Sequence, residues 1–360
     1  MSSAPFVPSH VLVTGGAGFV GSAYVRELLG RRDGTRITVL DKLTYAGNRA
    51  NLEPVAGHPE QAGRLRFVVG DIADPGVVDP LAAEVDAIVN FAAESHVDRS
   101  ILDPEAFLRT GVLGVHVLLE AIRRETERAE RGERSRPRFL QVSTDEVYGS
   151  IDQGFATEDS PLAPRSPYAA AKGAGELLVG SYVITHRIDA LVTRGSNTYG
   201  PYQHPEKLIP LFLTNAMDDQ PLPLYGDGLQ RRDWLFVTDH ANAVDHVLRH
   251  GTPGRAYNLP GSGERTNLEV VEILLAALGK STRLIRHVTD RPGHDRRYAM
   301  DGARLAALGW QNRVAFEDGL RQTVTWFREH DDWWRRVRSG DFEAYYERQY
   351  RERLATAEEH

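Results

Sequence analysis

The chain has 360 residues, 41% of them hydrophobic, a formal net charge of -7 and no cysteine. That length carries one large domain or two moderate ones. The acidic balance gives no support to a nucleic-acid binder, and the missing thiol excludes disulfides, thiolate catalysis and cysteine metal sites. Met1–His10 lacks the basic start and apolar run of a signal peptide, and no apolar stretch approaches the ~20 residues of a membrane span. A cytoplasmic protein with no membrane partner is expected.

In chain order, His10–Thr14 (HVLVT) predicts a strand, followed by a glycine turn and a helix over Phe19–Gly30. Arg36–Leu40 predicts a second strand with Asp41 at its carboxyl end, Leu65–Gly70 a third ending in Asp71, and Asp86–Ala92 a fourth. Phe107–Arg124 predicts a helix, Arg138–Ser143 a fifth strand, Ala169–His186 a helix and Ile188–Arg194 a strand. The strands are too apolar for a half-exposed sheet. The fold class is therefore α/β, a Rossmann-type parallel sheet with helices on both faces. After Gly200 the rhythm changes: Pro201–Arg232 is rich in proline, glycine and isolated charges. Glu269–Leu278 and Asp301–Leu308 predict short helices and Phe316–His330 a longer one. The expected plan is a dinucleotide-binding domain over 10–200 with segments returning around 232–260. A smaller, mostly C-terminal substrate-binding region follows over 201–330, then a tail over 331–360. Arg123–Arg138 alternates charge and reads as a solvated helix end and loop; Trp326, Trp333 and Trp334 read as packing or interface residues.

Gly15, Gly18 and Gly21 lie between an apolar strand and a helix. There glycine permits a tight turn and close approach to a pyrophosphate, and the helix amino end faces the phosphate charge. A carboxylate at Asp41 accepts hydrogen bonds from a ribose diol and repels a 2′-phosphate, which favours NAD over NADP; its alternative is a turn cap. Asp71 with Ile72 reaches an adenine, or Asp71 simply accepts within a turn. Tyr168 and Lys172 are four residues apart and share a helix face. A lysine cation there lowers the phenol pKa and binds a nicotinamide ribose, so that the phenolate takes an alcohol proton. Thr144 is placed to bridge Tyr168 and a sugar hydroxyl. Asp145 and Glu146 follow the fifth strand, either as an acid–base pair acting at different atoms of one sugar or as a turn cap and a solvated side chain. His96 reads as a local hydrogen-bonding residue, and no carboxylate–histidine cluster has metal spacing.

The chain resembles the extended short-chain dehydrogenase/reductases, and within them the dTDP-glucose 4,6-dehydratase family. The resemblance runs from about Val11 to Trp326. It rests on VTGGAGFVGS at Val13, DKLTYAGNRANL at Asp41, FAAESHVDRSI at Phe91, STDEVYGS at Ser143, SPYAAAK at Ser166, NTYGPYQHPEKLIPL at Asn197, YGDGLQRRDWLFVTDH at Tyr225 and DRPGHDRRYAMD at Asp290. It implies a lyase reaction in three parts. Tyr168 takes the C4 hydroxyl proton as hydride passes to NAD. Glu146 abstracts the C5 proton while Asp145 protonates the departing C6 hydroxyl. Hydride then returns to C6, so NAD is tightly bound and regenerated in each turnover.

The same resemblance implies NAD contacts from Gly15, Gly18, Phe19, Val20, Gly21, Asp41, Lys42, Leu43, Thr44, Asp71, Ile72, Phe91, Ala92, Ala93, Ser95, Thr110, Tyr168, Lys172 and Thr198. It implies substrate contacts from Ser95, Thr144, Asn197, Lys207, Leu208, Arg232, Asn267, Arg291 and His294, with Pro223 and Tyr225 shaping the thymine end. The implied partner is a second copy of the chain, through helices around Phe107–Glu120 and Ala169–His186. UDP-sugar epimerases and decarboxylases share the glycines and the YxxxK pair; the Asp145–Glu146 pair speaks against them. The chain departs from the family pattern at Gly111, Ala169, Ala171, Gly195 and Thr198, and none of these removes a catalytic group.

Overall fold

The computed structural model describes residues 4–31, 33–339 and 341–359. Its strands are β1 His10–Thr14, β2 Arg36–Asp41, β3 Leu65–Val69, β4 Ala87–Asn90, β5 Arg138–Thr144, β6 Asp189–Gly195, β7 Asn197–Tyr199, β8 Leu222–Tyr225, β9 Arg231–Phe236, β10 Ala256–Leu259, β11 Glu264–Thr266, β12 Ile285–Val288 and β13 Glu358–Glu359. The main sheet is parallel, in the order β10-β6-β5-β4-β1-β2-β3. Side chains alternate along its strands. Val11, Val13, Ala87, Val89, Leu140 and Val142 pack on one face; Leu12, Ile88 and Phe139 pack on the other. Two buried faces explain why these strands read as apolar runs rather than alternating patterns. Edge strand β3 is the exception: Val69 is 61% exposed.

The helices over Phe19–Gly30 and Val237–His250 cover the first face. Those over Pro75–Glu84, Val115–Glu130 and Pro167–His186 cover the second. The Val237–His250 helix and β10 belong structurally with the N-terminal sheet. Two three-stranded sheets, β11-β9-β7 and β13-β12-β8, build the other lobe. Its apolar clusters gather Tyr199, Trp234 and Phe316, and Phe212, Leu224 and Leu275.

Three expectations need adjusting. The helix expected over Phe107–Arg124 starts at Glu105, passes through a π-helical turn at Arg109–Gly114 and continues to Glu130. The charged run beyond Arg123 is only half solvated. Glu125 is buried and holds Arg128 and Arg134, while Arg134 also donates to the carbonyls of Ala82 and Ala83, ending the Pro75–Glu84 helix. Asp301–Leu308 holds a single helical turn, Ala303–Ala306. Beyond residue 330, the helices Asp331–Arg338 and Asp341–Ala355 pack back onto the second lobe, burying Trp333, Trp334, Phe342 and Tyr350.

In the main sheet the strand order reverses between β1 and β4. In open α/β sheets the crevice outside the carboxyl ends of the strands at such a point receives ligands. Gly15, Phe91, Thr144 and Gly195 lie at the ends of β1, β4, β5 and β6 and line one cavity.

Candidate active site

The cavity has a volume of about 710 Å³ and begins at the glycine turn. Gly15 has φ +69°, and a Cβ there would lie 2.6 Å from the Ala92 nitrogen. A Cβ at Gly21 would lie 2.3 Å from the Gly15 carbonyl oxygen. Only glycine allows the turn and the helix to approach so closely. Gly18 caps the Phe19–Gly30 helix without a side-chain hydrogen bond, and the first turn carries no acidic residue. The free N–H groups and the positive helix end form a cradle that fits a dinucleotide pyrophosphate. Asp41 accepts from the backbone N–H of Ala17 at 2.9 Å and of Leu43 at 2.8 Å. Asp71 accepts from the Ala73 N–H at 2.9 Å and pairs with Lys42 at 2.9 Å. Both carboxylates therefore do two things: they tie loops and they line the cavity.

Ser166 caps the next key helix by accepting from the Ala169 N–H at 3.1 Å, with Pro167 at its first position. One turn apart on its buried face stand Tyr168 and Lys172. The Lys172 ammonium donates to the Val142 carbonyl at 2.9 Å. Burial lowers its pKa to about 8, and the Glu176 carboxylate opposes that. The Tyr168 phenol is pushed up, first by burial and then by the negative charges of Glu146 and Asp145. The Lys172 ammonium is engaged with the Val142 carbonyl, and the phenol's shift comes from burial and the two carboxylates.

Thr144 ends β5 and organises those carboxylates. Its hydroxyl donates to Asp145 Oδ1 at 3.1 Å and accepts from the Glu146 N–H at 3.3 Å. Asp145 is 3% exposed and its Oδ2 has no hydrogen-bond partner. Burial, then the charge of Glu146, raises Asp145 well above the usual carboxylate range. Burial also raises Glu146, but Arg291, Lys207 and Arg232 pull it back. Both carboxyls are therefore raised, Asp145 the further because three cations offset burial at Glu146, so the proton is held more firmly on Asp145 than on its neighbour.

Of the residues expected to hold the cofactor, all but Leu43 line this cavity; Leu43 is 37% exposed at the rim loop. On the substrate side Ser95, Thr144, Asn197, Lys207 and Leu208 line it. Pro223, Tyr225, Arg232, Asn267, Arg291 and His294 do not; they lie in the second lobe. Arg232 is held there by the carbonyls of Arg231 and Asp295, each at 2.8 Å, with its guanidinium carbon 4.1 Å from the Tyr298 ring centre. Arg291 pairs with Asp98 at 3.0 Å, and His294 Nδ1 lies 2.6 Å from Asp290 Oδ1. Asn197 Oδ1 and Asn267 Oδ1 are buried without partners.

Sequence reasoning missed Tyr45, Gln203 and His240, which line the cavity, and Asp98 and Tyr298, which hold the two arginines. All five were within reach, because each lies inside a stretch that carried the resemblance. The departures from the family pattern fall in two packed sets. A Cβ at Gly111 would sit 3.1 Å from the Ala171 Cβ, so the π-helical turn packs against the YAAAK helix through two small residues. A Cβ at Gly195 would sit 2.7 Å from the His240 ring, whose Nδ1 lies 2.7 Å from the Thr198 hydroxyl. Gly195 makes room for the imidazole that Thr198 holds.

Residues 12–323 match the family model described as GDP-mannose 4,6 dehydratase. The chain is 51% identical to the dTDP-glucose 4,6-dehydratase of Streptomyces niveus, over 92% of this chain and 96% of that one. It is 49% identical to the dTDP-glucose 4,6-dehydratase of Streptomyces antibioticus, over 90% of this chain and 94% of that one. The solved structure of DesIV, the dTDP-glucose 4,6-dehydratase of Streptomyces venezuelae with NAD bound, superposes with a TM-score of 0.84 at 49% identity, covering 91% of this chain and 99% of that one. The chain belongs to the nucleotide-sugar 4,6-dehydratase family of the extended short-chain dehydrogenase/reductases.

Proposed function

We propose that this chain is an NAD-dependent dTDP-glucose 4,6-dehydratase, a lyase that forms dTDP-4-keto-6-deoxy-glucose and water. The observation that carries the reading is the Asp145–Glu146 pair, with Asp145 raised the further of the two, set beside Tyr168 at the cofactor cavity. The glycine cradle holds the NAD pyrophosphate, Asp41 the adenosine ribose and Lys172 the nicotinamide ribose. Bound NAD supplies the acceptor and later the donor of one hydride. Tyr168 takes the C4 hydroxyl proton, Glu146 the C5 proton made acidic by the new ketone, and Asp145 gives its proton to the departing C6 oxygen. Lys207, Arg232 and Arg291 face the nucleotide diphosphate. In this division residues 10–200 and 232–260 serve the cofactor and 201–330 mainly the nucleotide-sugar.

The acting form in this reading is a cytoplasmic homodimer. Supporting it, Leu108, Leu113, Leu177 and Ile184 are exposed, Ile184 by 81%, along the helices expected at the interface. Among the described residues no helix is long and apolar enough to cross a membrane.

The test is incubation with dTDP-glucose and, separately, UDP-glucose, with products identified by mass and NMR. Loss of one water from dTDP-glucose, and not from UDP-glucose, is the expected result. Unchanged mass with inversion at C4 would move the chain among the epimerases.

A further inference from the structure

Asp98 lies on the short Val97–Leu102 helix after β4 and is 4% exposed. Its Oδ1 accepts from Arg291 Nη1 at 3.0 Å. Its Oδ2 accepts from the Tyr225 hydroxyl at 3.1 Å and from Gln349 Nε2 at 3.2 Å. Gln349 Nε2 also donates to the Tyr225 oxygen at 2.8 Å, which closes a triangle of side chains. Four segments far apart in the chain therefore meet at one buried carboxylate. The last of them is the Asp341–Ala355 helix, which the sequence left as a tail.

That helix frames Tyr225. Tyr350 is 4% exposed, with its ring centre 6.1 Å from that of Tyr225, and the Arg353 guanidinium carbon lies 5.0 Å from the Tyr225 ring centre. The arginine end is fixed by charge. Burial works against the Arg291 cation, but Asp98, and then Glu146, more than offset it. Arg291 thus lies under the pull of two carboxylates, one of them the proposed C5 base, and its hydrogen bond goes to Asp98. A guanidinium anchored on Asp98 leaves Glu146 free for substrate.

Resting on the functional reading above, we propose that Asp98 and Gln349 are positioning residues for the nucleotide half of the substrate. They fix the Tyr225 ring for the base and the Arg291 guanidinium for the diphosphate, and they make the C-terminal helix part of the substrate site. Neither residue lines the cofactor cavity. Their removal therefore separates nucleotide binding from redox chemistry.

The test is calorimetric titration of the holoenzyme with dTDP, beside steady-state kinetics on dTDP-glucose, for wild type, Gln349→Ala and Tyr345→Phe. Tyr345 sits on the same helix, buried against His96, and makes no hydrogen bond to Asp98, Tyr225 or Arg291. Gln349→Ala is expected to weaken dTDP and raise KM by about tenfold, the worth of one well-placed hydrogen bond. Its kcat should stay within about twofold, with NAD content unchanged. Tyr345→Phe should bind dTDP as wild type does. Equal dTDP affinity in wild type and Gln349→Ala overturns the inference, and so does an equal loss in both variants, which would mark general loosening of the helix. A wild-type protein that ignores dTDP overturns the functional reading and this inference with it.

Discussion

The cofactor half and the nucleotide half of the site are built by opposite means. The cofactor half is local. A strand, Gly15, Gly18, Gly21 and the next helix lie within a few residues, and backbone geometry does most of the binding work. The nucleotide half is assembled by tertiary structure: Asp98, Tyr225, Arg291 and Gln349 span some 250 residues of chain and meet through side chains alone. Local, backbone-driven sites leave a spacing in the sequence. Sites made by convergence of distant side chains leave none. The catalytic groups stand between the two, with Tyr168 and Lys172 set by helix spacing and Asp145 and Glu146 by the end of β5.

The largest effect expected falls on that middle ground. Tyr168→Phe should lower kcat by at least about a thousandfold, the scale of losing a positioned base, with dTDP affinity retained. Product formation together with dTDP titration checks it. On the cofactor side, Gly21→Ala would drive a methyl against the Gly15 carbonyl. NAD content of the purified protein should fall to a small fraction of wild type while dTDP binding survives. A Gly21→Ala protein that holds NAD normally would show that the turn is not the cradle.

The next effect lies beneath the redox pair. Glu176, on the same helix as Lys172, pairs with Arg194 at 2.6 Å, and both are buried. Glu176→Ala leaves that guanidinium uncompensated and should cost about 3–5 kcal/mol of stability, read from urea unfolding.

Smaller still is the dependence on pH. Burial holds His96 and His240 down to about 4, against the ordinary 6.5. As pH falls through that window the unfolded chain takes up these protons before the folded chain does, so stability falls with pH. By about pH 5 the loss is on the order of 2 kcal/mol for each histidine. Glu206, lowered to about 2, adds to the loss below 4.5: burial opposes its charged form, but His96, His204, Lys207 and Arg99 outweigh it. Urea midpoints at neutral pH and near pH 5 decide; equal midpoints would contradict the burial of both imidazoles.

How much was legible follows the same division. The parallel sheet was readable because both its faces are buried, which writes strands as apolar runs. The π-helical turn at Arg109–Gly114 was not, because it is fixed by Gly111 packing on Ala171 and Gly175 of another helix. Spacing named Tyr168 and Lys172 but not the direction of the phenol's shift, which depends on its burial and then on the carboxylates brought beside it. Tyr345, Gln349 and Tyr350 lie in what the sequence offered only as a tail; their place is set by what the Asp341–Ala355 helix packs against.

The central claim is that Asp145 and Glu146 divide the work of acid and base. Single-turnover mixing of Glu146→Gln holoenzyme with dTDP-glucose, followed by the near-ultraviolet absorbance of reduced nicotinamide and by product mass, tests it most directly. The account predicts that reduced cofactor builds up while no water is lost, because oxidation at C4 uses Tyr168 and elimination needs Glu146. Full dehydration at the wild-type rate would contradict it and assign the C5 proton to another base.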